Sequence, residues 1–125
     1  MRIGKSILVV EDEPDVRSVI KAMLSEAGFE VFVAKDGASA LHQLWKRGGN
    51  LALFVTDVDM GRMSGFDLAE MVRSQYPAVP ILFISGLPVS GSELEKVAPG
   101  AALLTKPFDA ATLIHAVEKA IGNKS

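Results

Sequence analysis

Short apolar runs alternate along this chain with stretches of helical period, and the alternation occurs five times. The runs cover residues 7–10, 29–33, 51–55, 81–84 and 101–104. After the first, Val16, Ile20, Met23, Leu24 and Ala27 recur on one helical face, which predicts a helix over about 14–27. Pro14 suits its first turn and Gly28 its stop. Phe29-Glu30-Val31-Phe32-Val33 half-alternates, as an edge strand does. Asp36-Gly37 then opens a helix that groups Leu41, Leu44 and Trp45 and ends at Gly48-Gly49. A loop over 58–64 leads into a helix near 65–75 with Leu68, Ala69 and Val72 inward. Beyond the fourth run comes a short helix whose start, Ser92-Glu93-Leu94-Glu95, fits a capping box. The last helix follows Asp109 and lines up Leu113, Val117 and Ile121.

Strands apolar on both faces, separated by amphipathic helices, imply an α/β fold: a (βα)5 unit with a parallel sheet covered on both sides. In such sheets ligands sit beyond the carboxyl ends of the strands. Glu11 and Asp12, Asp57, Ser85 and Lys106 all fall at those ends. Each has a plainer reading: acids beside helix starts act as caps, Ser-Gly makes turns, and a lysine is commonly solvated. Their joint placement favours one shared crevice. Residues 74–92 carry no charge, but Pro77, Pro80, Pro88, Gly86 and Gly91 break the stretch into loop, strand and loop rather than a membrane span.

With 125 residues, 49% of them hydrophobic, the chain suffices for one core, so residues 1–125 are read as a single domain. A net charge of −2 offers no basic field for nucleic acid. The absence of cysteine excludes disulfides and thiolate chemistry, and the opening residues lack a secretory pattern, so a cytosolic setting is expected. His42 and His115 lie in predicted helices with no partner spacing and are expected in solvent.

Clustering Glu11, Asp12 and Asp57 requires a cation, since two carboxylates about 4 Å apart repel by roughly 4 kcal/mol at an effective dielectric near 20. Hard oxygen ligands suit Mg2+. Two near-matches fail on mechanism. In Asp57-Val58-Asp59-Met60-Gly61 the glycine comes one place early for a calcium loop, and Leu68 stands where a bidentate Glu belongs. Residues 86–91 imitate a P-loop's glycine spacing, yet Ser92 and Glu93 follow where a lysine and a hydroxyl are needed.

Four fragments carry a family resemblance: Ile7-Leu8-Val9-Val10-Glu11-Asp12-Glu13-Pro14, Val55-Thr56-Asp57-Val58-Asp59-Met60 with Gly65 downstream, Ile84-Ser85-Gly86, and Thr105-Lys106-Pro107-Phe108. In that order they resemble the receiver domain of two-component response regulators over essentially the whole chain. The resemblance implies a flavodoxin-like doubly wound sheet of order 2-1-3-4-5. It further implies that Asp57 accepts phosphate from a histidine kinase or histidine phosphotransfer protein. Glu11, Asp12 and Asp57, with the backbone carbonyl of Asp59, would hold Mg2+. Ser85 and Lys106 would contact the phosphoryl oxygens, with Gly86 leaving room beside them. Self-phosphorylation and slow self-dephosphorylation are expected rather than conventional turnover.

Two rival readings share part of this chemistry. Phosphohydrolases of the haloacid dehalogenase type use an Asp-x-Asp nucleophile, but their motif opens the chain and a cap shields the site, for which no residues remain here. A pseudo-receiver that binds partners without phosphorylation is disfavoured by the presence of Asp12, Asp57 and Lys106. The chain departs from the family at Gly61, usually proline, which loosens the loop. It departs again at Leu103, usually an aromatic switch residue, so output is expected through the loop 86–91 and the helix after it. Lys106-Pro107 offers a site for a cis bond. With no effector segment read beyond the last helix, output is expected through surface contacts, in a stand-alone regulator or in the receiver of a hybrid histidine kinase. The target is unknown, and dimerisation through the last helix stays open.

Overall fold

Each apolar run becomes a parallel strand, and all but the first strand reach one or two residues past the run at the carboxyl end, to Ala34, Asp57, Ser85 and Thr105. The computed structural model describes residues 4–122. In chain order the elements are β1 (Ser6–Val10), α1 (Pro14–Glu26), β2 (Glu30–Ala34), α2 (Gly37–Lys46), β3 (Leu53–Asp57), α3 (Gly65–Gln75), β4 (Ile81–Ser85), α4 (Gly91–Val97), β5 (Ala102–Thr105) and α5 (Ala110–Ile121). The sheet order is β2-β1-β3-β4-β5, all parallel, with β2 at an edge as its half-alternating pattern predicts. This is the doubly wound, flavodoxin-like arrangement, and it places the order reversal between β1 and β3.

Alternation along each strand divides the core in two. Leu8, Val10, Phe54 and Phe83 pack with Ala40 and Leu44 of α2 and Leu68, Ala69 and Val72 of α3. Ile7, Val9, Val55, Leu82 and Ile84 pack on the other face with Ile20 and Leu24 of α1 and Leu113 and Val117 of α5. Fully burying a Leu, Ile or Phe side chain contributes about 1.5–3 kcal/mol, so these two layers dominate the stabilisation. Helix starts are capped by side chains: Asp36 accepts from Ser39 N at 2.8 Å, Ser64 from Asp67 N at 3.1 Å and Asp109 from Thr112 N at 2.8 Å. The hydrogen bond from Thr112 holds the Asp109 carboxyl below its ordinary pKa.

Two expectations need correction. Trp45 does not join Leu44 inside; it is 72% exposed. The buried stripe of α2 is Gly37, Ala40 and Leu44, and Trp45 lies about 100° round the helix from Leu44. The capping box also starts two residues earlier than Ser92. Ser90 is the cap, accepting from Glu93 N at 3.1 Å. That register sets Val89 before the cap and Leu94 in the next turn, both packed against the core, which is the hydrophobic-staple arrangement. Glu95 instead accepts from Gly100 N at 3.2 Å.

The uncharged stretch resolves as expected into the end of α3, a proline loop, β4 and the loop before α4. Among the described residues no helix is long and apolar enough to cross a membrane. His42 and His115 are exposed, and Leu68 is fully buried, which leaves no calcium loop there.

Candidate functional site

Parallel register brings the strand ends level. Val10 pairs with Thr56, Asp57 with Ile84, and Ser85 with Thr105. The ladder runs on past the strands, with Val58 N donating to Ile84 O at 2.8 Å and Lys106 N to Ser85 O at 2.8 Å. Glu11, Asp57, Ser85 and Lys106 therefore leave neighbouring strands at one rim.

Lys106 joins the two ends of that rim. Its Nζ donates to Asp57 Oδ2 at 2.9 Å and to Glu11 Oε1 at 3.1 Å. Ligand oxygens of Glu11, Asp12 and Asp57 all lie within 4.8 Å of one another. Glu11 and Asp57 are buried, at 1% and 4% exposure, whereas Asp12 is exposed. Burial raises the Glu11 carboxyl to about pKa 7, against hydrogen bonds from Glu13 N and Lys106 that favour its charged form. For Lys106, burial acts against the charge, but the hydrogen bonds to Asp57 and Glu11 outweigh it and its pKa lies above the ordinary value.

Backbone groups fix the remaining acid oxygens. Glu13 N donates to Glu11 Oε2 at 3.2 Å and Asp59 N to Asp57 Oδ1 at 3.1 Å. Asp59 itself is exposed. Arg17, from the first turns of α1, donates to the Glu11 carbonyl at 2.9 Å, and the buried Thr56 hydroxyl donates to the Asp57 carbonyl at 3.0 Å. Neither residue carries a sequence signal beyond its position, and neither was singled out above. Gly65 donates to Val58 O at 2.8 Å, and a Cβ there would collide with the Asp57 carbonyl oxygen and come within 2.9 Å of its carbon. The glycine is thus required for α3 to start against the end of β3.

The other expected residues surround this centre. Ser85 is 1% exposed and its hydroxyl is engaged by Leu87, donating to the carbonyl at 2.7 Å and accepting from the amide at 3.1 Å. Gly86 is exposed, and a Cβ on it would meet only Lys106 Cδ at 3.9 Å, so there is room beside the lysine. Lys106-Pro107 is cis. Gly61 takes φ 24°, closed to proline, and Leu103 packs against the core layer of α2 and α3.

An all-oxygen donor set with two buried acids and one exposed acid fits a hard divalent cation. Buried carboxylates this close retain their charge at neutral pH only with positive charge beside them, and one lysine faces two of the three.

Residues 7–118 match the family model for the response regulator receiver domain. The chain belongs to the response regulator receiver family. This receiver is accordingly a phosphoacceptor domain of two-component signalling, and the hydrolase reading falls away. It is 34% identical over 116 residues to the response regulator receiver protein CpdR of Brucella abortus, covering 92% of this chain and 95% of that one. Against the nitrogen assimilation regulatory protein NtrX of Azorhizobium caulinodans it is 29% identical over 120 residues, 95% of this chain but 26% of that protein. The receiver thus spans about a quarter of one such relative and nearly the whole of another. Among solved structures it is similar to the response regulator protein TrrA of Thermotoga maritima in complex with Mg2+-BeF, with a TM-score of 0.82, 31% identity, and 93% and 98% of the two chains covered.

Proposed function

We propose that Asp57 is the residue of this receiver that takes the phosphoryl group, from a phosphohistidine on a histidine kinase or phosphotransfer protein. The observation that carries this is Lys106 Nζ lying between Asp57 Oδ2 and Glu11 Oε1 at the carboxyl rim. A carboxylate oxygen of Asp57 attacks phosphorus as the P–N bond of the donor breaks, which makes an acyl phosphate and frees the imidazole. Lys106 holds the nucleophile in place and balances negative charge on the phosphoryl oxygens. The amide of Asp59 orients the other carboxylate oxygen. Ser85 leaves Leu87 to meet the phosphoryl group, and Gly86 keeps the approach open.

Glu11, Asp12 and Asp57, with the carbonyl of Asp59, are the residues that would hold Mg2+. When bound, the ion supplies positive charge for the acid cluster and the transferring group. A protein donor is supported by an apolar groove of about 300 Å³ bordering Lys106, lined by Val16, Val19, Ile20, Met23 and Phe108. Val19 stays 51% exposed there, which suits a surface meant to be covered. The absence of cysteine agrees with work in the reducing cytosol.

Incubation with a small-molecule phosphodonor and Mg2+, followed by intact-mass measurement, tests the assignment. Wild type gains one hydroxylamine-labile phosphoryl group in the presence of the metal, and Asp57→Asn gains none. Equal labelling of both proteins would move the acceptor elsewhere, and labelling of neither with any donor would favour a pseudo-receiver.

A further inference from the structure

Two of the large apolar side chains left in solvent, Trp45 at 72% and Met71 at 45%, lie on one groove. The groove runs between α2 and α3, has a volume of about 610 Å³, and is completed by Leu41, His42, Glu70 and Ser74. None of these residues belongs to the phosphoacceptor site, and the groove lies toward the C-terminal ends of both helices, away from the carboxyl rim. His42 stacks along Trp45 with ring centroids 6.4 Å apart and a 28° tilt, which leaves the rest of the indole to solvent. An exposed, supported tryptophan beside a flexible methionine is the make-up of a binding anchor, because both bury large apolar area at small cost in side-chain freedom or shape.

Charge around the groove indicates what covers it. The exposed charge of α2 is cationic, at Lys46, and the helix contains no acid. The groove-facing charge of α3 is acidic, at Glu70, with Asp67 one turn earlier. Among the described residues neither Lys46 nor Glu70 makes an ion pair within the chain. A two-fold interface must be complementary to itself, so that what one copy offers on α2 is met by what the other offers on α3. Glu70 lines the groove, and Lys46, outside its lining, is exposed next to Trp45 at the end of α2, so the exposed face that carries the groove offers both signs and satisfies that condition.

We propose that the α2–α3 groove is a self-association surface, occupied by the same groove of a second copy of this chain. Trp45 and Met71 of each copy bury against the other, and Lys46 of one approaches Glu70 of its mate. This is a face other than α5, the helix left open for dimerisation by sequence. It lies apart from the carboxyl rim, so pairing leaves Asp57 accessible to its donor.

Trp45 is the sole tryptophan of the chain, so its emission reports on this surface alone. Sedimentation velocity and Trp45 fluorescence of the wild-type chain are followed across a concentration series. Expected are a monomer–dimer equilibrium and a blue shift of emission that tracks the dimer. Trp45→Glu weakens dimerisation at least about tenfold with an unchanged thermal melt. Glu70→Lys and Lys46→Glu each weaken it severalfold, and the double variant recovers it. Asp57→Asn dimerises like wild type, so this outcome is independent of the phosphoacceptor assignment. A chain that stays monomeric at all concentrations overturns the proposal, as does a dimer indifferent to Trp45→Glu or a double variant with no recovery.

Discussion

Ser85 holds Leu87 from both sides, donating to its carbonyl at 2.7 Å and accepting from its amide at 3.1 Å. The hydroxyl has one proton and cannot donate to the Leu87 carbonyl and to a phosphoryl oxygen on Asp57 at once, so the role proposed for Ser85 requires phosphorylation to free that carbonyl. Leu87 is 61% exposed and precedes the Val89–Leu94 staple of α4, which couples the turn to the helix. Leu103 has no ring to swing, so the change is expected to pass through this segment. Amide chemical shifts of residues 86–97 are expected to move on phosphorylation of wild type and to move far less in Ser85→Ala. Unchanged shifts there, with movement elsewhere, would refute this route. Loss of the turn in Ser85→Ala should cost about 1 kcal/mol in the unphosphorylated protein.

Lys106 is the one cation paired with the carboxylates of the buried acids Glu11 and Asp57 among the described residues. Lys106→Met keeps much of the stem volume and removes the charge. In metal-free buffer the variant should lose roughly 1–3 kcal/mol, because buried acids are left without a partner. Added Mg2+ should return a large part of that loss while phosphorylation stays slow. Chemical denaturation with and without Mg2+ measures both effects, and a loss of equal size in the two buffers would show that packing of the lysine stem, not its charge, is responsible.

Much of this fold was legible because local preference and tertiary position agree. Pro14, Asp36, Ser64 and Asp109 sit at helix starts, and the apolar runs are buried strands. The acid and lysine positions were legible because parallel strands of similar length end level, so residues distant in sequence meet without fine adjustment. What escaped depended on competition between near-equal local choices. Ser90 and Ser92 each precede a glutamate by three residues, and only the packing of Val89 and Leu94 selects the first. Trp45 was grouped with Leu41 and Leu44 by hydrophobicity, but Gly37 and Ala40 decide which side of α2 approaches the sheet. Arg17 and Thr56 act on backbone carbonyls, a contact any nearby donor can make, so residue type gave no cue.

Gly65 is where the strand and helix geometry leave no space for a side chain. A Cβ would press on the Asp57 carbonyl, and backbone cannot give way as a flexible side-chain tip does. Gly65→Ala should therefore destabilise by about 1–3 kcal/mol and slow phosphorylation beyond what stability explains, since the strain falls on the nucleophile's own peptide. Gly61→Ala is the control: it borders open space, though at φ 24°, and should alter the phosphorylation rate less. Urea titration and initial labelling rates separate the two effects. A folded Gly65→Ala with wild-type rates would show that the junction relaxes without moving Asp57.

Glu11 makes metal-free stability depend on pH with a definite sign. Burial raises its folded-state pKa from 4.5 to about 7, so between those values the folded protein binds a proton that the unfolded chain does not. Its contribution is fully present below pH 4.5 and is lost as pH rises through about 7, by linkage. At about 1.4 kcal/mol per pKa unit the loss is on the order of 3 kcal/mol. Glu11→Gln does not titrate, and its single carbonyl oxygen can replace only one of the two acceptors that Lys106 and Glu13 N use, so its stability should start lower but fall less over the same range. Mg2+ favours the ionised acid and should flatten the wild-type profile as well. Denaturation midpoints from pH 5 to 8, in chelator and in Mg2+, check both statements. Parallel profiles for wild type and Glu11→Gln in chelator would mean that the buried carboxyl is already fully balanced by Lys106.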